Sequence, residues 1–118
     1  GRSQQFERGY FYNPTILTDI NSQMAIMTEE PFSPVMPILN FDQIDEAIEK
    51  ANDTVFGLAA YVLTNDLSVA FKMAEGLEFG TIGINDTVPA TPQAPFGGLK
   101  ESGIGRENSI EGMDVYLE

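Results

Sequence analysis

The sequence predicts an α/β fold: a short, mostly parallel sheet with flanking helices. Two observations carry this reading. Apolar, β-branched runs at residues 35–41, 58–64 and 81–84 alternate with two segments whose apolar residues recur at helical spacing. The connections between them are short, which is the texture of strands joined through crossover helices. Right-handed crossovers are expected.

Each element has its own signals. Residues 1–9 are polar and aperiodic, and are expected to be a loop or a frayed end. Residues 10–17 are aromatic and β-branched with Pro14 inside, which suits an edge strand or one that starts late. Residues 35–41 form a short apolar run. Asp42 is expected to cap the first helix, where Ile44, Ala47, Ile48 and Ala51 fall on one face. Glu46 and Lys50 form an i, i+4 pair in the favourable order. Asn52 and Gly57 mark the exit, and residues 58–64 are apolar enough for a strand covered on both faces. Asp66 or Ser68 caps the second helix, with Ala70, Met73, Ala74 and Leu77 as its buried stripe and Gly80 as its stop. Residues 81–84 supply the next strand.

Beyond Asn85 the texture changes. Pro89, Pro92, Pro95, Gly97 and Gly98 make residues 85–107 irregular, and so long a loop in a compact domain is usually functional or disordered. In residues 109–118, Ile110, Met113 and Leu117 have the spacing of a short helix. The 118 residues suffice for one small domain, so 1–118 reads as a single segment.

Composition bounds the chemistry. With no cysteine there is no thiolate nucleophile, and with no histidine there is no imidazole base. No D-x-D-x-D-G loop points to a metal. Six basic residues face eighteen acidic ones, a net charge of −12 that disfavours nucleic acid and anionic lipid as partners. No apolar run reaches the roughly 20 residues of a membrane helix, and no secretory signal pattern leads the chain. A cytoplasmic location is the expectation.

Three stretches are more specific. They are Glu29-Glu30-Pro31-Phe32-Ser33-Pro34-Val35, then Ala51-Asn52 with Phe56-Gly57-Leu58-Ala59-Ala60, then Ala94-Pro95-Phe96-Gly97-Gly98-Leu99-Lys100-Glu101-Ser102-Gly103-Ile104-Gly105-Arg106-Glu107. With Gly9-Tyr10-Phe11, Pro14-Thr15, Gly80-Thr81-Ile82 and Asn85, the ordered set resembles the C-terminal part of the aldehyde dehydrogenase catalytic domain, over almost the whole chain. Each motif alone is weak; their order and spacing are specific.

The resemblance implies a parent that oxidises an aldehyde to a carboxylic acid with NAD or NADP. In the family a cysteine attacks the aldehyde, hydride passes to nicotinamide, and a glutamate-activated water releases the acid, so covalent catalysis divides one hard step in two. That cysteine, that base and the Rossmann-like cofactor domain precede the matching region in family members. None is found in this chain, so it is expected to be inactive alone. The parent is expected to be a homo-oligomer, because family members continue with a strand that joins a partner subunit's sheet.

Roles carry over by position. Glu30 matches the glutamate that accepts hydrogen bonds from the nicotinamide ribose hydroxyls, a task suited to a carboxylate. A solvated surface glutamate is the plainer reading. Phe32 matches an aromatic that packs near the nicotinamide, which is compatible with a core role. Ser33 stands where glycine is usual, and serine fits only if φ there is negative. Phe96 resembles a wall of the aldehyde tunnel, and Val88 and Ala90 lie in the loop that varies with substrate. Phe96 as core filler is the alternative. Glu107 resembles a glutamate sometimes placed in a proton relay, with a structural ion pair to Arg106 the favoured reading. Gly97, Gly98, Gly103 and Gly105 serve tight turns and are not a phosphate cradle. The overall pattern resembles the succinate-semialdehyde and lactaldehyde branches. However, Ala90 stands where many succinate-semialdehyde enzymes place a serine on the substrate carboxylate. Two readings follow: part of an oxidoreductase, or a non-catalytic interaction module such as the complementary half of a split enzyme.

Overall fold

A computed structural model describes residues 5, 6 and 8–118. Of the expected loop at 1–9, residues 1–4 and 7 lie outside the described residues, and the remainder carries no helix or strand. The chain divides into two compact units, Gly1–Phe41 and Asp42–Glu118.

In the first unit, strand β1 (Thr15–Leu17) pairs in parallel with β2 (Val35–Pro37), with Thr15 opposite Val35 and Leu17 opposite Pro37. The ladder is shorter than residues 10–17 and 35–41 suggested, because prolines bracket it. Pro14 has no N–H to give and Pro37 ends the other strand. One further bond, from Ile38 N–H to the Leu17 carbonyl at 2.9 Å, closes it. The crossover holds a single helical turn, α1 (Ala25–Thr28). It was not legible in the sequence, since four residues leave no periodicity to read.

The second unit begins with helix α2 (Ile44–Asn52). Its face of Ile44, Ala47, Ile48 and Ala51 is partly buried, as the spacing predicts. Asp42 does not cap it. The helix starts two residues later, Gln43 occupies the cap position with no side-chain bond, and the Glu46 carboxylate instead accepts the Asp42 N–H at 2.9 Å. The Glu46–Lys50 ion pair forms at 2.6 Å. Strand β3 (Phe56–Gly57) and strand β4 (Ala59–Val62) follow.

Helix α3 (Leu67–Gly76) is capped as expected, Asp66 accepting the N–H groups of Ser68 and Val69 at 2.8 and 3.1 Å. It packs on α2 closely enough that a β-carbon on Gly76 would stand 2.9 Å from Ile48 Cδ1. Ala70 and Leu77 join Val62 as the buried apolar residues among those described. The predicted stripe needs one correction. Ala74 is exposed and shares a second apolar stripe with Leu67 and Phe71, at 72% and 61% exposure, which faces away from the core. Gly80 is not the helix stop either; the helix ends at Gly76 with Leu77 as its cap.

Strand β5 (Thr81–Ile84) pairs in parallel with β4, from Ala59 opposite Thr81 to Val62 opposite Ile84. Strand β6 (Leu99–Lys100) pairs antiparallel with β3, and helix α4 (Glu111–Asp114) is one turn long. The α/β class with short parallel strands therefore holds. The alternation between Val35 and Asn85 does not make one sheet, however: β2 pairs with β1, β4 with β5, and β3 with β6. Apolar runs reveal that strands exist, not which neighbour completes their ladders. Among the described residues, no helix is long and apolar enough to cross a membrane.

Candidate functional site

The long segment after β5 is irregular, yet it is tied down at defined points. At its root, Asn85 donates its N–H to the Val62 carbonyl at 2.8 Å, and its side chain bonds both peptide groups of Thr64 at 2.9 Å each. Midway, the Pro92 carbonyl accepts the Ser109 N–H at 3.0 Å. Phe96 and Glu107 then face each other across an antiparallel bridge, with N–H to carbonyl distances of 2.8 and 2.7 Å.

Between those two residues the glycine-rich stretch turns back on itself. Gly103 and Gly105 take φ of +99° and +97°, which only glycine adopts at little cost. The expectation of tight turns holds for these two. Gly97 and Gly98 have no positive φ; they permit close backbone approach instead.

Lys100 is the clasp of this stretch. Its backbone sits at φ +54°, and its ammonium donates to the carbonyls of Asn52 and Thr54 at 2.9 and 3.2 Å and pairs with Glu78 at 2.8 Å. It thus neutralises the carbonyl end of α2, where a cation is favoured by the helix dipole. Asn52 is the matching hub, donating to the Gly76 carbonyl and accepting the Glu78 N–H, both at 2.8 Å. Ser102 adds a third tie by accepting the Gly57 N–H at 2.9 Å. The sequence marks Asn52 as a helix exit and as part of the Ala51-Asn52 motif, but not these ties. Their partners lie 22 to 48 residues away in the chain, so no local pattern announces them.

Phe96 is half-buried and lines a cleft of about 430 Å³ with Leu58, Ile104, Val115 and Tyr116 among its other walls. Val88 and Ala90 are exposed and do not line that cleft. Glu107 joins Phe96 through the backbone bridge, and its side chain is exposed. The expected Arg106–Glu107 ion pair is absent. The Arg106 guanidinium turns inward and donates to the carbonyls of Gly98 and Gly105, at 3.1 and 2.7 Å. Adjacent residues in an extended segment point to opposite sides, and the bared carbonyls of the glycine turn are the nearer acceptors.

Glu30 and Phe32 belong to the first unit. Glu30 is exposed, and its carboxylate has no partner among the described residues. Phe32 presents its ring at 93% exposure. Ser33 is not among the residues with positive φ, so the backbone here accommodates serine in place of glycine. Two carboxylates elsewhere are held below their ordinary range by local bonds: Glu46 chiefly by Lys50 and then by the Asp42 N–H, and Glu111 chiefly by the Ser109 hydroxyl.

The aldehyde dehydrogenase family model matches residues 1–118, and the chain belongs to that family. Among its relatives, a probable succinate-semialdehyde dehydrogenase (NADP+) of Sinorhizobium fredii is 46% identical over 110 residues, covering 93% of this chain and 22% of that protein. A succinate semialdehyde dehydrogenase of Acinetobacter baylyi is 49% identical over 108 residues, covering 92% and 22%. Among solved structures, an indole-3-acetaldehyde dehydrogenase of P. syringae in complex with NAD+ superposes with a TM-score of 0.88 at 44% identity, over 93% of this chain and 22% of that one. The chain thus spans less than a quarter of the length of these relatives.

Proposed function

We propose that this chain serves an NAD(P)-dependent aldehyde dehydrogenase, oxidising an aldehyde to a carboxylic acid, and contributes its nicotinamide-ribose and substrate-side contacts. The observation that carries the reading is the family match along all 118 residues, in a sequence with no cysteine to attack an aldehyde. The attacking thiol and the general base belong to polypeptide outside these residues, and the chain alone is inactive.

Two residues at hand suit the nicotinamide-ribose end of a dinucleotide. Glu30 has an unengaged carboxylate able to accept two ribose hydroxyls in charge-assisted bonds, and the Phe32 ring is free to cover an apolar ring face. A nicotinamide held there would supply the hydride acceptor for oxidation of the aldehyde carbon. Glu30 would fix the sugar and Phe32 would shield one ring face from water; Phe96 from its cleft, and Val88 and Ala90 from the exposed loop, are the residues assigned to the aldehyde side. Glu107 is assigned to a proton relay behind the base, its backbone held by Phe96.

The relatives named for succinate semialdehyde make that aldehyde a natural first probe. In this chain Ala90 offers no hydrogen bond to a substrate carboxylate, and Lys100 is already committed to Glu78, Asn52 and Thr54. Neutral aldehydes are therefore the preferred class for the contacts these residues supply.

The test compares the 118-residue chain with the longest in-frame polypeptide that contains it, using NAD+ or NADP+ with propanal and succinate semialdehyde. Turnover is expected from the longer polypeptide only. Turnover by the isolated chain, or none from a folded longer polypeptide, overturns the reading. In the longer polypeptide, Glu30→Gln slows hydride transfer and leaves overall cofactor affinity largely intact; an unchanged rate of that step removes Glu30 from the ribose site.

A further inference from the structure

The root of the substrate-side loop is built from one side chain. Strand β4 ends at Val62 and β5 at Ile84, and the Asn85 N–H still makes the next bond of the ladder, to the Val62 carbonyl. The Asn85 carboxamide then imitates a peptide unit. Its Oδ1 accepts the Thr64 N–H and its Nδ2 donates to the Thr64 carbonyl, so both groups of that residue are paired where no strand remains to pair them. The main chain meanwhile takes φ +53°, a left-handed turn that asparagine tolerates better than most residues. It folds back so sharply that a β-carbon on Gly83 would stand 2.4 Å from the Asp86 carbonyl oxygen. Asp86 Oδ1 next accepts the Val88 N–H at 2.8 Å, carrying the imposed direction to the first residue assigned to substrate.

We propose that Asn85 is a positioning residue for substrate selection: its carboxamide, locked to Thr64, sets the direction in which Val88 and Ala90 leave the sheet. The inference rests on the reading of the segment that starts at Asn85 and holds Val88 and Ala90 as the substrate-side loop. It goes further by naming the group that orients that loop, which touches no substrate itself.

The lock and the backbone turn are separable. Asn85→Gly keeps the left-handed turn and removes both bonds to Thr64. Asn85→Asp keeps the acceptor but sets a carboxylate oxygen against the Thr64 carbonyl. Both variants are made in the longest in-frame polypeptide containing this chain. Steady-state constants are measured for NAD+, propanal and octanal, together with deuterium uptake at residues 86–94. For both variants the aldehyde kcat/KM should fall about tenfold, chiefly through KM, as expected when a bond pair of about 1.4 kcal/mol is lost. The octanal-to-propanal preference should shift, the KM for NAD+ should stay within about twofold, and residues 86–94 should exchange faster. Wild-type constants for Asn85→Gly would mean that the turn alone matters, and would overturn the proposal. So would equal losses in the NAD+ and aldehyde KM, which mark general disruption. Absence of turnover in the folded wild-type polypeptide defeats the dehydrogenase reading instead. In that case the uptake measurement still decides the lock, since unchanged exchange at 86–94 in both variants rules it out.

Discussion

Gly80 and Gly97 touch backbone to backbone: a β-carbon on Gly80 would lie 1.8 Å from the Gly97 carbonyl oxygen and 3.0 Å from Gly98 Cα. Gly80 immediately precedes β5 and also donates its N–H to the Gly57 carbonyl at 3.0 Å. The contact therefore presses the glycine-rich loop against the parallel ladder with no side chain between them.

Gly80→Ala should consequently be among the most damaging small substitutions in the chain. The obstacle is main chain on the far side, which cannot swing away as a side chain can. A loss of about 3 kcal/mol is expected, the upper range for overpacking. Thermal unfolding against the wild-type protein measures it, and a change below about 0.5 kcal/mol would show that the loop yields freely.

Asp66 carries the start of α3. Because one carboxylate oxygen accepts two otherwise orphaned N–H groups, Asp66→Ala should cost about 1 kcal/mol, and Asp66→Asn should recover most of it, since asparagine caps comparably. Denaturant midpoints of the three proteins give the comparison. Equal midpoints for alanine and asparagine would indicate that the cap is idle.

The third prediction concerns pH. Glu46 titrates below its ordinary value because Lys50 and the Asp42 N–H favour its ionised form. A carboxylate depressed in the folded state contributes stability above its unfolded pKa, and that contribution disappears as pH falls through the folded value. The advantage of the wild type over Glu46→Gln should therefore be present at neutral pH and vanish with acidification below the usual glutamate range. Because the ion pair is open to solvent, which screens it, the difference is small. Unfolding midpoints of the two proteins from pH 7 to pH 3 test this; a gap that widens on acidification contradicts it.

What the sequence disclosed follows the range of the interactions. The Asp66 cap and the face of Ile44, Ala47, Ile48 and Ala51 were legible because their partners lie within a few residues. The β3–β6 pair was not, since two-residue strands leave no period and Phe56 meets Lys100 only after a long excursion. Ala74 was misplaced because α3 is apolar on two faces, and periodicity alone does not say which one the core takes. At the candidate site the motif order singles out Phe96 and Glu107 without indicating that they bridge. Arg106 was paired with its neighbour in sequence, whereas the fold offered it two bare carbonyls.

The outward stripe of Leu67, Phe71 and Ala74 has a consequence for handling. Leu67 and Phe71 are large apolar groups open to water, on a chain whose eighteen acidic residues outnumber six basic ones. At neutral pH that surplus should keep copies apart despite the greasy ridge. As acid titrates the carboxylates, the mutual repulsion fades while the ridge stays as sticky as before. The colloidal limit of this protein should thus be set by acidity: clear at pH 7, clouding as the carboxylates discharge, with added salt moving the onset toward neutrality.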